Sequence, residues 1–422
     1  MQHQGGTNGK GPRVVITGIG AITPLGLTWQ ESWAAMLEGR SAARAVTHFD
    51  ATNFPTRIAA MVQGFDPKQY MEVKEAKRLG RVTQFAWAAA RQAVEQARLD
   101  ISQEDPERVG VEIGSAFGAL DILEEQTQRL RDGGPRRINP AAAPAVLIST
   151  TPCYVAIRLG IQGPVDAQVA ACATGIVSIG EAARRLQRGE VDVVLAGGAD
   201  AYTTPLIMAA FSRLGAMSTR NDEPERACRP FDRTRDGMVL GEGAVVMVLE
   251  TLEHAQARGA PILAEFGGYA LSSDAYNLAA PEPNGRGAAR AMARALTESG
   301  LKPEDVHYIC AHGTGTQLND ASETAAIKHA LGEAAYHIPV SSVKSMVGHM
   351  MGAAGALSAA VLVQAINEGI IPPTINYQEP DPQCDLDYVP NQARRTRVDV
   401  AMCNAFGFGG QNASLLLKRF EP

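Results

Sequence analysis

Short apolar runs recur along this chain, most of them end in glycine, and a helical pattern follows several of them. Residues 109–113 run into Gly114-Ser115 ahead of a helical stretch over 119–131. Residues 165–169 lead to Cys172 and a helix over 175–186, and residues 191–195 lead to Gly197-Gly198. Apolar runs this short, bounded by glycine, read as buried strands, whereas Ile176, Ile179 and Ala183 keep the spacing of a helix face. A strand over 244–249 and a helix over 251–258, stopped by Gly259, close the first series. The rhythm then restarts, with strands over 262–266, 306–311 and 340–343 and helices over 287–299, 322–331 and 353–367. Such alternation specifies α/β layers in which helices cover sheets. The restart predicts two related halves, 13–258 and 259–422, behind a polar, glycine-rich segment 1–12 that is expected to be flexible.

The 422 residues are enough for more than one domain-sized unit. A net charge of -6 argues against broad nucleic-acid binding, so an acidic partner needs a local basic patch. Lys74, Lys77 and Arg78, with Arg81 beside them, form one candidate patch, and Arg136 and Arg137 form another. The first residues lack the basic-then-apolar pattern of a signal peptide, and no apolar run approaches the roughly 18 residues of a membrane span. A cytoplasmic protein is expected. Its six cysteines form no Cys-x-x-Cys pair and are expected to stay reduced. Thr17-Gly18-Ile19-Gly20 follows a strand over 13–16 and resembles a dinucleotide turn, but the third glycine is replaced by Thr23, so that reading fails. Thr28-Trp29-Gln30-Glu31 is a capping box opening a helix that stops at Gly39.

Cys172 stands where the run 165–169 turns into a helix, in Val169-Ala170-Ala171-Cys172-Ala173-Thr174-Gly175. A helix N-terminus favours thiolate over thiol, and the small neighbours leave room for a substrate. Two histidines occupy comparable turns of the second half, in Ala311-His312-Gly313-Thr314-Gly315-Thr316 and Lys344-Ser345-Met346-Val347-Gly348-His349. Carboxyl ends of strands are where ligands bind in α/β sheets, so thiol and imidazoles are placed to converge between the halves. A third turn, Asn404-Ala405-Phe406-Gly407-Phe408-Gly409-Gly410, suits either a hairpin or an oxyanion hole with phenylalanine walls. His3, His48, His254, His307, His329 and His337 lie in no such turn, and no spacing suggests a metal site.

Taken in order, Cys172 in Ala-Cys-Ala-Thr-Gly, His312 in His-Gly-Thr-Gly-Thr, Lys344-Ser345 leading to Gly348-His349, and Gly407-Phe408-Gly409-Gly410 resemble the β-ketoacyl-[acyl-carrier-protein] synthases, KAS II type. The resemblance runs from about Arg13 to Lys418 and includes Arg229-Pro230-Phe231-Asp232 and Cys384-Asp385-Leu386-Asp387-Tyr388-Val389-Pro390. It implies a thiolase-like fold of two βαβαβαββ-type halves in five layers, a homodimer, an acyl carrier protein as partner and no organic cofactor. It also implies the roles. Cys172 takes the acyl chain. The N–H groups of Cys172 and Phe408 hold the oxyanion, and His312 and His349 bind the malonyl thioester carbonyl. Lys344 supports the site through an ion pair with Glu323, Thr314 and Thr316 hold the pantetheine arm, and Phe408 acts as a gate beside Phe406. The basic residues 74, 77, 78, 136 and 137 dock the carrier.

Five positions depart from that pattern. Asn277 stands where the family often has histidine. Phe117 replaces a smaller aliphatic residue at the pocket floor, which shortens the acyl tunnel, whereas Ala141, Ala142 and Ala143 replace bulkier residues and open space. The competing readings are a ketosynthase of a type II polyketide system, a thiolase, an initiating CoA-dependent synthase, a cysteine hydrolase and a catalytically silent partner subunit. Cys172 argues against the last, the two histidines argue against a thiolase and an initiating synthase, which pair cysteine with Cys–His or His–Asn sets, and the second histidine with the Phe408 turn favours condensation over hydrolysis.

Overall fold

The computed structural model describes residues 11–422, so most of the segment 1–12 lies outside the described residues. Ten strands build its main sheet: β1 Val14–Ile22, β2 Val109–Gly114, β3 Val165–Asp166, β4 Val193–Asp200, β5 Gly243–Thr251, β6 Ala264–Ser273, β7 Tyr308–Cys310, β8 Val340–Ser341, β9 Val400–Gly407 and β10 Gln411–Lys418. Their order is β8-β7-β9-β10-β6-β1-β5-β4-β2-β3. The repeat that residue-level similarity only hinted at is plain in this order. Outward from β1, the first half runs antiparallel to β5, antiparallel to β4, then parallel to β2 and β3. Outward from β6, the second half runs antiparallel to β10, antiparallel to β9, then parallel to β7 and β8. Each half therefore places its first, fifth, fourth, second and third strands in the same sequence and sense. Two residue pairs, Val15 with Glu265 and Ile16 with Ala264, join β1 to β6.

The main helices are α1 Trp29–Leu37, α2 Arg81–Ala97, α3 Leu120–Gly133, α4 Thr150–Leu159, α5 Thr174–Gln187, α6 Pro205–Arg213, α7 Arg286–Ser299, α8 Gln317–Leu331 and α9 Gly352–Glu368. Helices α2 and α4 cover the outer face of the first half-sheet, and α7, backed by α8, covers that of the second. Between the half-sheets lie α5 and α9, which touch strands of both, and the result is five layers, α-β-α-β-α. A helix with a sheet on either side must be apolar all round. Accordingly α9, GAAGALSAAVLVQAINE, buries 14 of its 17 residues. None of the described helices is long and apolar enough to cross a membrane.

Several elements differ from the sequence expectations. Strand β1 continues through Thr17-Gly18-Ile19-Gly20, so those glycines form no phosphate turn. A Cβ on Gly18 would sit 2.1 Å from the Ala93 carbonyl oxygen, and one on Gly20 1.9 Å from that of Ala89, so the missing side chains let α2 lie on the strand. Strand β4 likewise passes through Gly197 and Gly198. The strand expected over 165–169 shrinks to Val165–Asp166, because pairing with β2 ends there. Thr28 and Glu31 form the expected capping box at the start of α1.

Candidate active site

Cys172 sits in a single 3-10 turn, Ala171–Ala173, that feeds α5, rather than on the first residue of the α-helix itself. The turn is clamped locally: Thr174 Oγ1 accepts from the Ala170 N–H at 2.9 Å and donates to the Ala171 carbonyl at 2.8 Å. Ala171 is held at φ +47°, a strained value for a residue with a Cβ. Gly175 and Gly198 bring α9 up to this turn. Added Cβ atoms would lie 2.5 Å from the Ala356 nitrogen and 2.1 Å from the Gly352 oxygen, respectively.

His349 is presented by the turn that follows the short helix Lys344–Val347, with Gly348 at φ +67°. Its main chain is pinned by its own N–H, which donates to Val239 O at 2.7 Å, and by its carbonyl, which accepts from the Gly241 N–H and the Tyr202 hydroxyl. Nε2 lies 3.0 Å from Cys172 Sγ, and Nδ1 accepts from the Met351 N–H at 3.2 Å. An accepting Nδ1 carries no proton, so the neutral ring must carry its hydrogen on Nε2, facing the sulfur. His312 follows β7. Its ring stands edge-on to that of His349 at 5.4 Å and to Phe406 at 5.6 Å, and its Nδ1 is buried without a partner among the described residues. One ligand-type atom from each of Cys172, His312 and His349 falls within 4.8 Å of the others, so the three expected residues do converge.

Burial decides the protonation states. It pushes the Cys172 thiol up to about 12, against the charge of Lys344 and hydrogen bonds from the Phe408 and Cys172 N–H groups. The sequence expectation that the helix start yields a resting thiolate is overturned, since desolvation of the buried sulfur outweighs the helix end. Burial, and then Lys344, hold both imidazoles well below their ordinary value, so both are neutral near pH 7. Lys344 is itself lowered by burial.

Glu323 does not form the expected direct ion pair with Lys344 among the described residues. Its two oxygens instead accept from the N–H groups of His312 at 2.8 Å and Gly313 at 2.7 Å, which fixes the histidine turn. Burial raises Glu323 to about 7, and Lys344 acts on it only through space.

A cavity of about 700 Å³ opens onto this group and is lined by Thr314, Thr316, Phe406 and Phe408 as well as by the thiol and both imidazoles. The threonine hydroxyls are 2.9 Å apart, and Thr316 also caps α8. Asn277 lies on the cavity rim, where its Oδ1 accepts from the Ala279 and Ala280 N–H groups and shapes its own loop. Phe117 and Ala142 do not line the cavity. Phe117 lies behind the sulfur in the same apolar cluster, and Ala142 is buried in the short helix Ala142–Ala145. Lys74, Lys77, Arg78, Arg136 and Arg137 are all exposed, whereas Arg81 turns inward to pair with buried Glu242.

Both halves match models of one family: residues 12–255 match the β-ketoacyl synthase N-terminal domain, and residues 263–378 match its C-terminal domain. The chain belongs to the β-ketoacyl synthase family. It is 49% identical over 97% of its length to 3-oxoacyl-[acyl-carrier-protein] synthase 2 of Synechocystis, of which 98% is covered. It is 46% identical over 96% of its length to the protein of that name in Coxiella burnetii, again with 98% covered. A type II polyketide ketosynthase in complex with its acyl-carrier protein superposes with a TM-score of 0.91 at 34% identity, over 97% of this chain and 100% of that one. A β-ketoacyl synthase from Burkholderia phymatum superposes at 0.89 with 37% identity over the same shares.

In this β-ketoacyl synthase, sequence reasoning missed three residues of the site. Asp200, at the end of β4, accepts from Ser115 Oγ and from the N–H groups of Ala116, Phe117 and Gly352, and so ties two loops to the start of α9. Its signal was present, as a charge closing an apolar strand. Met351 places its Sδ 3.6 Å from Cys172 Sγ, and Tyr202 hydrogen-bonds the carbonyl of His349. Neither carries a sequence pattern that marks it.

Proposed function

We propose that this chain is an elongating condensing enzyme of fatty-acid synthesis, joining an acyl chain to malonyl-acyl carrier protein to give 3-oxoacyl-acyl carrier protein and carbon dioxide. The observation that carries the reading is the cavity floor: a thiol 3.0 Å from a histidine Nε2, with a second neutral imidazole and the Phe408 N–H beside it. Identities of 45–49% to 3-oxoacyl synthases of type 2, against 34% to a type II polyketide ketosynthase structure, favour fatty-acid elongation over the polyketide pathway.

In the first step, Cys172 sulfur attacks the acyl thioester carbonyl, and the N–H groups of Cys172 and Phe408 hold the oxyanion. The thiol proton leaves with the carrier thiolate, so acyl-Cys172 and free carrier thiol result. His349 Nε2–H stabilises the sulfur as its negative charge develops. In the second step, the malonyl thioester oxygen accepts hydrogen bonds from His349 and His312. The unpartnered ring nitrogen of His312 marks a bond left for substrate. Carbon dioxide departs, the enolate attacks the acyl carbonyl, and the tetrahedral intermediate collapses to expel the Cys172 thiolate, which takes a proton from water to return to the resting thiol. Donors fixed in advance in a dry pocket are worth about 3 kcal/mol each to such an oxyanion.

The same reading assigns Thr314 and Thr316 to the pantetheine arm, Phe408 to gating beside Phe406, and Lys344 to through-space electrostatic support. Glu323 positions the His312 turn. The exposed residues Lys74, Lys77, Arg78, Arg136 and Arg137 suit docking of an acidic carrier protein. The shared strand order supports division into halves at 13–258 and 259–422, and a cytoplasmic homodimer completes the reading. The test is incubation with acyl- and malonyl-carrier proteins. Release of carbon dioxide with a 3-oxoacyl product is expected, and Cys172→Ala should form no acyl-enzyme. Product formed by that variant would overturn the assignment.

A further inference from the structure

The cavity that opens onto Cys172 stops at the sulfur and at Phe408. Behind them the space is filled by a cluster that includes Tyr202, Phe211 and Met351, with Phe117 and Phe408 packed against it. Four of its rings are continuous. Phe117 stacks on Tyr202 with centroids 5.3 Å apart and planes 16° apart, Phe211 stands edge-on to both, and Phe408 lies 5.8 Å from Phe211.

These rings differ in freedom. Phe408 sits at the tip of the β9–β10 hairpin next to Gly409 and Gly410, both at positive φ, and is half-exposed, so it can swing aside. Tyr202 has no such freedom. It is fully buried, and its hydroxyl donates to the His349 carbonyl, which the Gly241 N–H also holds. Two residues upstream, Asp200 accepts from the N–H groups of Ala116 and Phe117, so the backbones carrying both stacked rings are tied to one carboxylate. Ala141, Ala142 and Ala143 of the same chain neither belong to this cluster nor line the cavity.

We infer that Tyr202, stacked on Phe117 and anchored to the His349 carbonyl, is the fixed floor of the acyl pocket and restricts this enzyme to short acyl primers. The inference rests on Cys172 as the acyl acceptor. An acyl chain growing from Sγ first takes the space that Phe408 vacates. Any further methylene must displace a buried phenol from its hydrogen bond and separate two stacked rings. A rigid apolar wall discriminates by about 10- to 200-fold for each methylene it refuses.

The experiment is intact-mass measurement of Cys172 acylation by acetyl-, butyryl-, octanoyl- and hexadecanoyl-carrier protein, on wild type and on Tyr202→Ala, Tyr202→Phe and Phe117→Ala, with folding checked by circular dichroism. Wild type is expected to accept acetyl and butyryl groups and to lose at least a hundredfold in rate by hexadecanoyl. Tyr202→Ala should raise octanoyl acylation at least tenfold relative to butyryl, whereas Tyr202→Phe, which keeps the ring but loses the anchor to the His349 carbonyl, should raise it by less. If Tyr202→Ala does not fold, Phe117→Ala carries the test, since it frees the face on which Tyr202 stacks. Equal acylation of wild type by butyryl and hexadecanoyl chains would overturn the inference, as would an unchanged limit in a folded Tyr202→Ala or Phe117→Ala. Failure of the nucleophile assignment looks different, because it leaves folded wild type without an adduct at any chain length.

Discussion

At Cys172 two effects compete, and their sizes decide how the residue behaves. A helix end is worth up to about 2 kcal/mol toward a nearby charge, whereas desolvation of a buried side chain shifts a group by up to 3–5 pK units, or about 4–7 kcal/mol. The thiol is accordingly pushed up to about 12 and waits neutral beside a neutral His349. Iodoacetamide labelling of Cys172 should therefore keep rising as pH is taken past about 8.5, the ordinary thiol value. A plateau near that value, seen by peptide mapping with exposed Cys153 as reference, would contradict the burial argument. The histidines carry a second expectation. Because both are held well below the ordinary imidazole value, their protonated forms appear only in acid, so any change in condensation between pH 8 and about 6.5 comes from Glu323, raised to about 7, and Glu323→Gln should flatten it. Replacing either histidine by Ala should slow malonyl decarboxylation about a hundred- to thousandfold, with a smaller effect on acylation of Cys172. Single-turnover assays of the two half-reactions separate these outcomes, and equal losses in both would remove the distinction of roles.

Among the elements, glycines fix how closely helices approach the catalytic turn. Gly175→Ala would drive a methyl into the Ala356 backbone, and an overpacking cost of about 1–3 kcal/mol is expected in denaturant melts. A second element-scale device joins the end of β5 and the short helix Leu252–Ala257 to the segment between α2 and β2. His254 offers Nδ1 to Glu250 at 2.7 Å and Nε2 to Glu104 at 2.9 Å, so both nitrogens face carboxylates and the protonated ring is favoured. Its pKa is raised, chiefly by the hydrogen bond to Glu250. A raised folded value means that the stabilisation is fully present below about 6.5, the unfolded histidine value, and is lost as pH rises through the folded value. His254→Gln should thus cost more stability at pH 5.5 than at pH 8.5 in urea melts. Element types were largely legible, because apolar runs and helical spacing survive in any context. Their ends were not. Strand β3 stops at Asp166 although its neighbour β2 runs on to Gly114, and Gly18, Gly20, Gly197 and Gly198 read as turns although each lies within a strand, because only the packed helices, or at Gly197 the backbone of β5, reveal why a side chain is missing.

For the molecule as a whole, the basic patches test partner recognition. Charge reversal at Lys74, Lys77 and Arg78, or at Arg136 and Arg137, should weaken carrier-protein binding about tenfold or more and steepen with falling salt, as isothermal calorimetry can show. Arg81 belongs to a different class: reversing it strands the buried Glu242 carboxylate and should destabilise the fold instead. The sequence by itself determined the α/β class, the two-part rhythm, the capping of α1 and the identity of the thiol and two histidines, because local periodicity and turn chemistry do not depend on distant contacts. Only the tertiary structure decided that the halves repeat one strand order, that Glu323 holds the His312 turn rather than Lys344, and that the thiol rests neutral. It alone placed Asp200, Tyr202 and Met351 at the site. Burial, desolvation and hydrogen-bond partners are properties of what surrounds a residue, and in this fold the surroundings of Cys172 come from segments up to 236 positions away in the chain, as far as Phe408.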